Sequence, residues 1–360
     1  MTTRRVTSYD VAALAGVSQS AVSRAFSEEG SVSPRMRERI TRAADELGYR
    51  PNAIARSLGK GRTGLVGMVI NKHSQQNHAN ALSGITEILR TSGGGVLLQV
   101  VDADSLADDA VATLLDYRVD AIICSSIVSE AATGQCARAG VALCLVNRQS
   151  AAEGVDEVLS DNVACSTAVA LGLASAGARR TAYVYGPAAG FVSRLRFAGF
   201  SAGCARAGLP PPLRIDCDFT YQGGHDAALE LVERHPELDA IAAASDGMAF
   251  GIVDALRRRC GLAVPADIMV VGHDDEPTSG YLGYRLTSVR QPMEAMLRGA
   301  LTLAQRRIER PELPKRRIVM RSEIMLRDSG SWEIDTSDRR RMPAGARARP
   351  AARSRREVAA

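Results

Sequence analysis

The sequence predicts a small helical unit followed by two doubly wound α/β lobes, and three observations predict it. Residues 1–50 read as short capped helices with no strand-like run. From Gly64 onward, short apolar runs without polar alternation alternate with helix-length stretches, the pattern of parallel strands covered on both faces. About nine or ten such strands suit two successive sheets better than one.

In the first unit, Ser8 can cap a helix that carries Asp10 in its first turn, where the helix dipole favours a carboxylate. Gly16 ends that helix, and Ser18 caps a second one running to about Ser27. Ser33 and Pro34 open a third, with Met36, Ile40, Ala43 and Leu47 at helical spacing and Gly48 as its stop. The product is a three-helix unit built around helix–AGVS–helix. In its stretch LAGVSQSAVSRAF, one apolar track (Leu14, Val17, Val22, Phe26) holds the segment, and the remaining side chains are small and polar. Residues 51–62, PNAIARSLGKGR, hold a helical stretch of about seven residues, too short to persist alone in water. They read as a linker that orders only when something holds it. GKGRTG (59–64) has the letters of a dinucleotide fingerprint, but it precedes a strand instead of following one, so it is a connector.

The apolar runs are GLVGMVI (64–70), GVLLQVV (95–101), VDAIICSS (119–126), VALCLVN (141–147), RTAYVYG (180–186), LRIDCDF (213–219), LDAIAAAS (238–245) and IMVVGHDD (268–275). The break between lobes is expected near VLSDN (158–162). Beyond Ser329 the text RRRMPAGARARPAARSRR has no apolar period and reads as a disordered tail, either adding salt-sensitive phosphate attraction or inert. The expected division is 1–50 helix-turn-helix unit, 51–62 hinge and linker, 63–329 two-lobed body, 330–360 Arg-rich tail.

Composition narrows the function classes. At 46% hydrophobic and 24% charged residues the chain reads as a soluble globular protein, and no apolar run approaches the roughly 18 residues of a membrane helix. The start MTTRRVTSYD lacks the apolar core of a secretory signal. Seven scattered cysteines without a CxxC pair fit reduced residues of a cytoplasmic protein. The net charge of +5 is uneven: residues 1–62 hold 11 Lys/Arg against 6 Asp/Glu, and residues 328–360 hold 8 Arg against 5 acids. A basic N-terminal unit on a mildly acidic body points to a polyanionic partner.

TSYDVAALAGVSQSAVSRAF, VSPRMRERI, ELGYRPNAIARSL and GRTGLVGMVI resemble the lactose-repressor (LacI-type) family of transcription regulators. The resemblance continues through DNVAC, GPAAGFVSRLRFAGF, CDFTYQGG, SDGMAFG, VVGHDDEP and LTSVRQP, over roughly residues 5–328. It implies a helix-turn-helix followed by lobes of the periplasmic-binding-protein type. It further implies that Gln19, Ser20 and Arg24 reach base edges, while Tyr9, Ser18 and Ser23 contact phosphates. In the family, paired linkers enter the minor groove and wedge a base step apart with leucine; Leu58 occupies that position, with Asn52 and Ala55 beside it. The other reading of Leu58 is ordinary packing of the linker on the body. Ser27 stands where family members commonly carry Asn.

In parallel sheets ligands bind at the carboxyl ends of the strands. Those ends carry Asn71, Ser74, Gln75, Asn77, His78, Asp102, Asp104, Ser125, Ser126, Asn147 and Arg148 in the first lobe. The second lobe supplies Arg196, Asp218, Phe219, Ser245, Asp246, Asp274 and Asp275. Carboxylates, amides and arginine beside one aromatic face suit a polyhydroxylated or carboxylated small molecule. The resemblance selects Arg196, Phe219, Ser245 and Asp274, then Arg148 and Gln291, as effector contacts. Asp246, Asp274 and Asp275 equally suit turn and cap duty, and Arg196 suits a salt bridge. SQQNH replaces the SNPFF-like aromatics after the first strand, so the first-lobe side is expected to be more polar. His78 and His273 are candidates for the cleft.

No nucleophile elbow, Walker loop, HExxH or metal-spaced Cys/His set is present, so neither enzyme activity, cofactor nor metal is expected. A sugar-binding protein without DNA function shares the body but not the first 62 residues. The expectation is therefore a cytoplasmic homodimeric regulator, a repressor by resemblance. Its partners are a near-palindromic double-stranded DNA operator and a carbohydrate or sugar-acid effector, with no membrane.

Overall fold

The structure, a computed structural model, describes residues 6–26, 31–50, 62–72, 75–91, 94–102, 106–187 and 190–332. The expected linker and the Arg-rich tail lie outside the described residues, except Arg62 and residues 330–332.

The first unit forms α1 (Ser8–Ala15), α2 (Gln19–Ala25) and α3 (Pro34–Glu46). Thr7, not Ser8, caps α1. The extended Thr7 lies three residues before Asp10, the spacing of a capping box, and its N–H and hydroxyl both donate to the Asp10 carboxylate at 2.8 and 2.7 Å. Gly16, at φ +61°, takes the left-handed turn that ends α1. Ser18 Oγ then accepts from Ala21 N–H at 3.2 Å and starts α2, which stops at Ala25, short of Ser27. Ser33 caps α3 and Pro34 occupies its first position. Val11, Ala15, Val22, Ala25, Ile40 and Ala43 close a small core. Leu14 is 47% exposed and leaves the expected apolar track, because α2 packs through the smaller Ala21 and Ala25.

The body has two six-stranded sheets. The first contains β1 (Leu65–Asn71), β2 (Gly95–Val101), β3 (Ala121–Cys124), β4 (Ala142–Val146), β5 (Asp156–Ser160) and β11 (Arg317–Met320), ordered β11-β5-β4-β3-β1-β2 and all parallel. The second contains β6 (Thr181–Tyr185), β7 (Leu213–Asp216), β8 (Ala240–Ala243), β9 (Met269–Asp274), β10 (Thr287–Arg290) and β12 (Glu323–Met325), ordered β12-β10-β9-β8-β6-β7 with β12 antiparallel. Helices α4 (Gln75–Thr91), α5 (Asp108–Asp116) and α6 (Glu130–Ala139) serve the first sheet. Helices α7 (Asn162–Ser175), α8 (Phe191–Arg206), α9 (Tyr221–Arg234) and α10 (Asp246–Ala255) serve the second. The last long helix, α11 (Met293–Glu309), returns to the first lobe and buries Met296, Leu297, Ala300 and Leu303 there.

The lobes are therefore interleaved, not successive. The chain crosses between them at Asp161, at Gln291–Pro292 and again at Arg321–Ser322; VLSDN marks only the first crossing. The described residues hold twelve strands, and four of them (β5, β10, β11 and β12) have no counterpart among the eight apolar runs. β5 reads DEVLS because it buries two carboxylates, which a hydropathy pattern assigns to the surface. Each is answered: Arg307 reaches Asp156 at 2.9 Å, and Lys315 and Arg317 reach Glu157 at 2.6 Å each. At the base of the first lobe, the Asp120 carboxylate accepts from the N–H groups of Thr63 (2.9 Å) and Gly64 (2.7 Å). Arg62 donates to the Ile308 carbonyl at 3.0 Å. Among the described residues, no helix is long and apolar enough to cross a membrane.

Candidate functional site

Two surfaces combine the predicted residues. On the first unit, Tyr9 is 71% exposed, and Ser18, Ser20, Ser23 and Arg24 are exposed along α2 and its start. Gln19 is half-buried and donates to Ser8 Oγ at 3.3 Å. Short polar side chains project from a helix whose back carries Ala21, Val22 and Ala25, so the backbone can approach a flat polar surface closely. Asn52, Ala55 and Leu58 lie outside the described residues.

The second surface is a cleft between the lobes, with an empty volume of about 670 Å³ including its mouth. Asn71, Ser125, Val146, Asn147 and Arg148 line it from the first lobe. Val192, Arg196, Phe219, Ser245, Gly247, Asp274 and Glu276 line it from the second, and Gln291 and Met293 from the crossing between them. Positive φ values gather at this rim: Asn147 (52°), Phe219 (67°), Asp274 (113°) and Asp275 (53°) all lie at or shortly after strand ends. Such backbone costs about 1–3 kcal/mol per residue and persists where its surroundings over-determine it. Phe219 lies against Gly186, where a Cβ would come within 2.3 Å of its ring.

A hydrogen-bonded chain runs through the cleft floor. Asn147 Nδ2 donates to Gln291 Oε1 at 2.7 Å, and Gln291 Nε2 donates to Asp274 Oδ1 at 2.5 Å. Arg196, only 3% exposed, donates to Asp274 (3.4 Å), Asn162 Oδ1 (2.9 Å) and the Ala244 carbonyl (2.5 Å). Asn147 Oδ1 accepts from Ser160 N–H at 2.9 Å. The chain thus ties β4, two of the three crossings and β9 into one polar network, in which each partner constrains the next.

Asp246 and Asp275 serve the rim without entering the cleft. Asp246 is fully buried and accepts from Glu276 N–H, Ser279 Oγ and Ser288 Oγ at 2.8, 2.5 and 2.6 Å. A Cβ on Gly272 would sit 2.1 Å from its carboxylate, so this position on β9 has no room for a side chain. Asp275 pairs with Arg290 at 2.6 Å and with Arg327 at 2.5 Å. Burial first, and then the Asp274 charge, push the Asp246 carboxyl up to about 7, and the same causes push Glu276 up to about 7. Both groups therefore hold protons in the folded chain that the unfolded chain has released. Stability will fall as pH rises from about 4 to about 7 and level off above that. The carboxylates held below their ordinary values, such as Asp254 and Glu157, act at lower pH and in the opposite sense. Melting temperatures from pH 5 to pH 8 check the sign; a rising trend refutes it.

Comparison with known proteins places both parts of the chain. Residues 7–52 match the family described as bacterial regulatory proteins, lacI family, and residues 171–330 match a periplasmic binding protein-like domain. The HTH-type transcriptional regulator CelR of Thermobifida fusca is 33% identical over 337 residues, covering 91% of this chain and 99% of that protein. The chain belongs to the lacI family of bacterial regulatory proteins. The ribose operon repressor of Escherichia coli (strain K12) is 29% identical over 325 residues, 89% of this chain and 98% of that one. Among solved structures, a CelR–cellobiose complex superposes with TM-score 0.68 at 31% identity, over 91% of this chain and all of that one. The lac repressor dimer bound to operator and an anti-inducer superposes with TM-score 0.78 at 23% identity, over 91% and 99% of the chains, which speaks for the fold.

This lacI-family regulator is thus a DNA-binding transcriptional regulator with a helix-turn-helix domain and an effector-binding body of periplasmic-binding-protein type. These relatives are regulators of transcription, not enzymes. Of the sequence-predicted effector residues, Arg148, Arg196, Phe219, Ser245, Asp274 and Gln291 all line the one cleft. Ser245 also caps α10, accepting from Met248 N–H at 3.4 Å. Asn77 lies on α4, and its side chain, like those of His78, Gln75 and Ser74, falls outside the described residues. Asp104 falls outside them too. Asp102 pairs with Lys72 on the surface at 2.5 Å, and Asp218 accepts from Thr220, so neither lines the cleft. His273 is buried in β9 with Nε2 unpartnered, held well below its usual range by burial and by Arg196; it is not at the cleft wall. Sequence reading missed Glu276, whose GHDDEP context reads as a turn, and the apolar Val146, Val192 and Met293.

Proposed function

We propose that this lacI-family regulator is a cytoplasmic homodimeric repressor that binds a near-palindromic operator and is controlled by a carbohydrate or sugar acid held between its lobes. Gln19, Ser20 and Arg24 read base edges, Tyr9, Ser18 and Ser23 set the register on phosphates, and Leu58, with Asn52 and Ala55, wedges the minor groove. Effector contacts come from Arg196, Phe219, Ser245, Asp274, Gln291, Arg148 and Asn77. The observation that carries the reading is the polar chain Asn147–Gln291–Asp274–Arg196, which spans both lobes at a chain crossing. A ligand bonding to it changes how the lobes close, and through α11 and the start of β1 that change reaches the linker. Coupling of this kind acts in both directions.

The test is fluorescence anisotropy on DNA from the region upstream of the chain's own coding sequence, with and without a sugar panel. Arg24→Ala is expected to weaken specific binding by about 1–3 kcal/mol while non-specific binding falls far less. Equal losses on specific and random DNA would reduce Arg24 to a phosphate contact. If no small molecule changes operator affinity, the control half of the reading fails.

A further inference from the structure

We infer that the effector is a monoanionic sugar acid whose carboxylate is bound by Arg148 on the first lobe, its ring and hydroxyls facing the second. This rests on the reading of the cleft as a carbohydrate effector site and narrows it to one chemical class.

The charges of the cleft are segregated by lobe. Both lining carboxyl groups, Asp274 and Glu276, belong to the second lobe, and Asp246 lies behind them. Arg196, on that same side, is already engaged with Asp274, Asn162 and the Ala244 carbonyl. Arg148 is the charged group lining the cleft from the first lobe among the described residues, and it has no carboxylate partner. Its one hydrogen bond goes to the neighbouring Asn147 carbonyl at 2.8 Å, and its Nε is buried with nothing to bond. The half-buried guanidinium thus faces the cleft with Nε out of water and unbonded, and a cation held this way gains from a counter-charge on its open side. Among the described residues, the neighbouring first-lobe groups do not neutralise it: Ser125 is neutral and donates to the Val69 carbonyl, and the Asn147 amide is spent on Gln291 and Ser160. A ligand oxyanion supplies the missing charge, in the forked geometry that arginine matches.

The second lobe sets the rest of the ligand. Phe219 offers a ring face, and Asp274 and Glu276 accept from hydroxyls. Glu276 makes no side-chain hydrogen bond among the described residues, so it too awaits a ligand group. The Asp274 charge on this wall, with the Glu276 carboxyl beside it and Asp246 behind, disfavours a second negative charge on the ligand. A carboxylate therefore suits the site better than a phosphate ester, which carries about −1.5 to −2 at neutral pH.

The experiment is isothermal titration of the full chain with matched series: hexuronates and aldonates, the parent hexoses, and hexose 6-phosphates. At least one acid is expected to bind on the order of tenfold or more tighter than its neutral parent. Arg148→Met is expected to erase that preference, bringing the ratio of acid to neutral-parent affinity close to one whatever it does to overall affinity, and Arg148→Lys to restore part of the ratio. Circular dichroism confirms that each variant is folded. Neutral hexoses binding better than every acid would overturn the inference and leave the carbohydrate reading intact, as would an unchanged acid preference in Arg148→Met. A hexose 6-phosphate binding better than the matched acid overturns the carboxylate assignment. Failure of all three series to bind removes the carbohydrate reading itself.

Discussion

Arg196→Met will abolish control by the effector, lowering effector affinity by more than a hundredfold while the purified protein still binds operator DNA. Arg196 is nearly inaccessible, and its guanidinium holds three acceptors from three parts of the second lobe: Asn162 beside the first crossing, the Ala244 carbonyl after β8, and Asp274 at the end of β9. Methionine keeps most of the volume and none of the donors. Asp274 then loses its counter-charge while still facing Asp246 and Glu276, and breaking a buried charged pair on one side costs about 3–5 kcal/mol. Two readouts separate binding from folding. Calorimetric titration reports effector affinity, and urea denaturation reports the stability of the body. Arg196→Lys, which keeps the charge but cannot reach three acceptors in one plane, will recover little. An Arg196→Met protein that still responds to effector would remove Arg196 from the site.

The second large effect lies away from the cleft. Arg307 and Asp156 are both buried, and Arg307 donates to both Asp156 oxygens at 2.9 and 3.2 Å. It also donates to the carbonyls of Pro311 (3.1 Å) and Leu313 (2.6 Å), so one side chain fastens α11, the turn after it and β5. Arg307→Met leaves the buried carboxylate without its counter-charge, with the Arg316 N–H still donating to it at 2.7 Å, and will lower stability by about 3–5 kcal/mol. In a body of this size that is roughly 10 °C in melting temperature. The double variant Arg307→Met with Asp156→Leu removes both charges and will regain much of the loss, a coupling that a double-mutant cycle measures directly. Additive losses would show that the pair contributes little as a pair.

The parts legible in the sequence were those whose signal is local. Caps and stops such as Ser18, Ser33, Pro34 and Gly16 determine the three-helix unit within a few residues of themselves. The apolar runs locate eight of the twelve strands; six of these are buried on both faces, while the edge strands β2 and β7 are only partly covered. What stayed hidden depends on partners far along the chain. β5 carries Asp156 and Glu157 because Arg307, Lys315 and Arg317, about 150 residues later, neutralise them. The interleaving of the lobes could not be read from strand counts, since β11 and α11 join a sheet begun more than 200 residues earlier. In the cleft, Arg148 and Asp274 followed from the rule that strand ends bind ligands. That Asp246 and Asp275 brace the rim without lining the cleft follows from Ser279, Ser288, Arg290 and Arg327, which only the fold brings near.

The fastening at Asp120 has a practical meaning for anyone recombining such regulators. Asp120 grips the backbone of Thr63 and Gly64, and Arg62 grips the end of α11, so the first-lobe scaffold begins at Arg62 and not at the first strand. A chimera that borrows another reading head should be joined upstream of Arg62, leaving Arg62, Thr63, Gly64 and Asp120 as one inherited set. A joint placed between Thr63 and Leu65 transplants the reader but severs its mooring, and the resulting protein would keep its address while losing its switch.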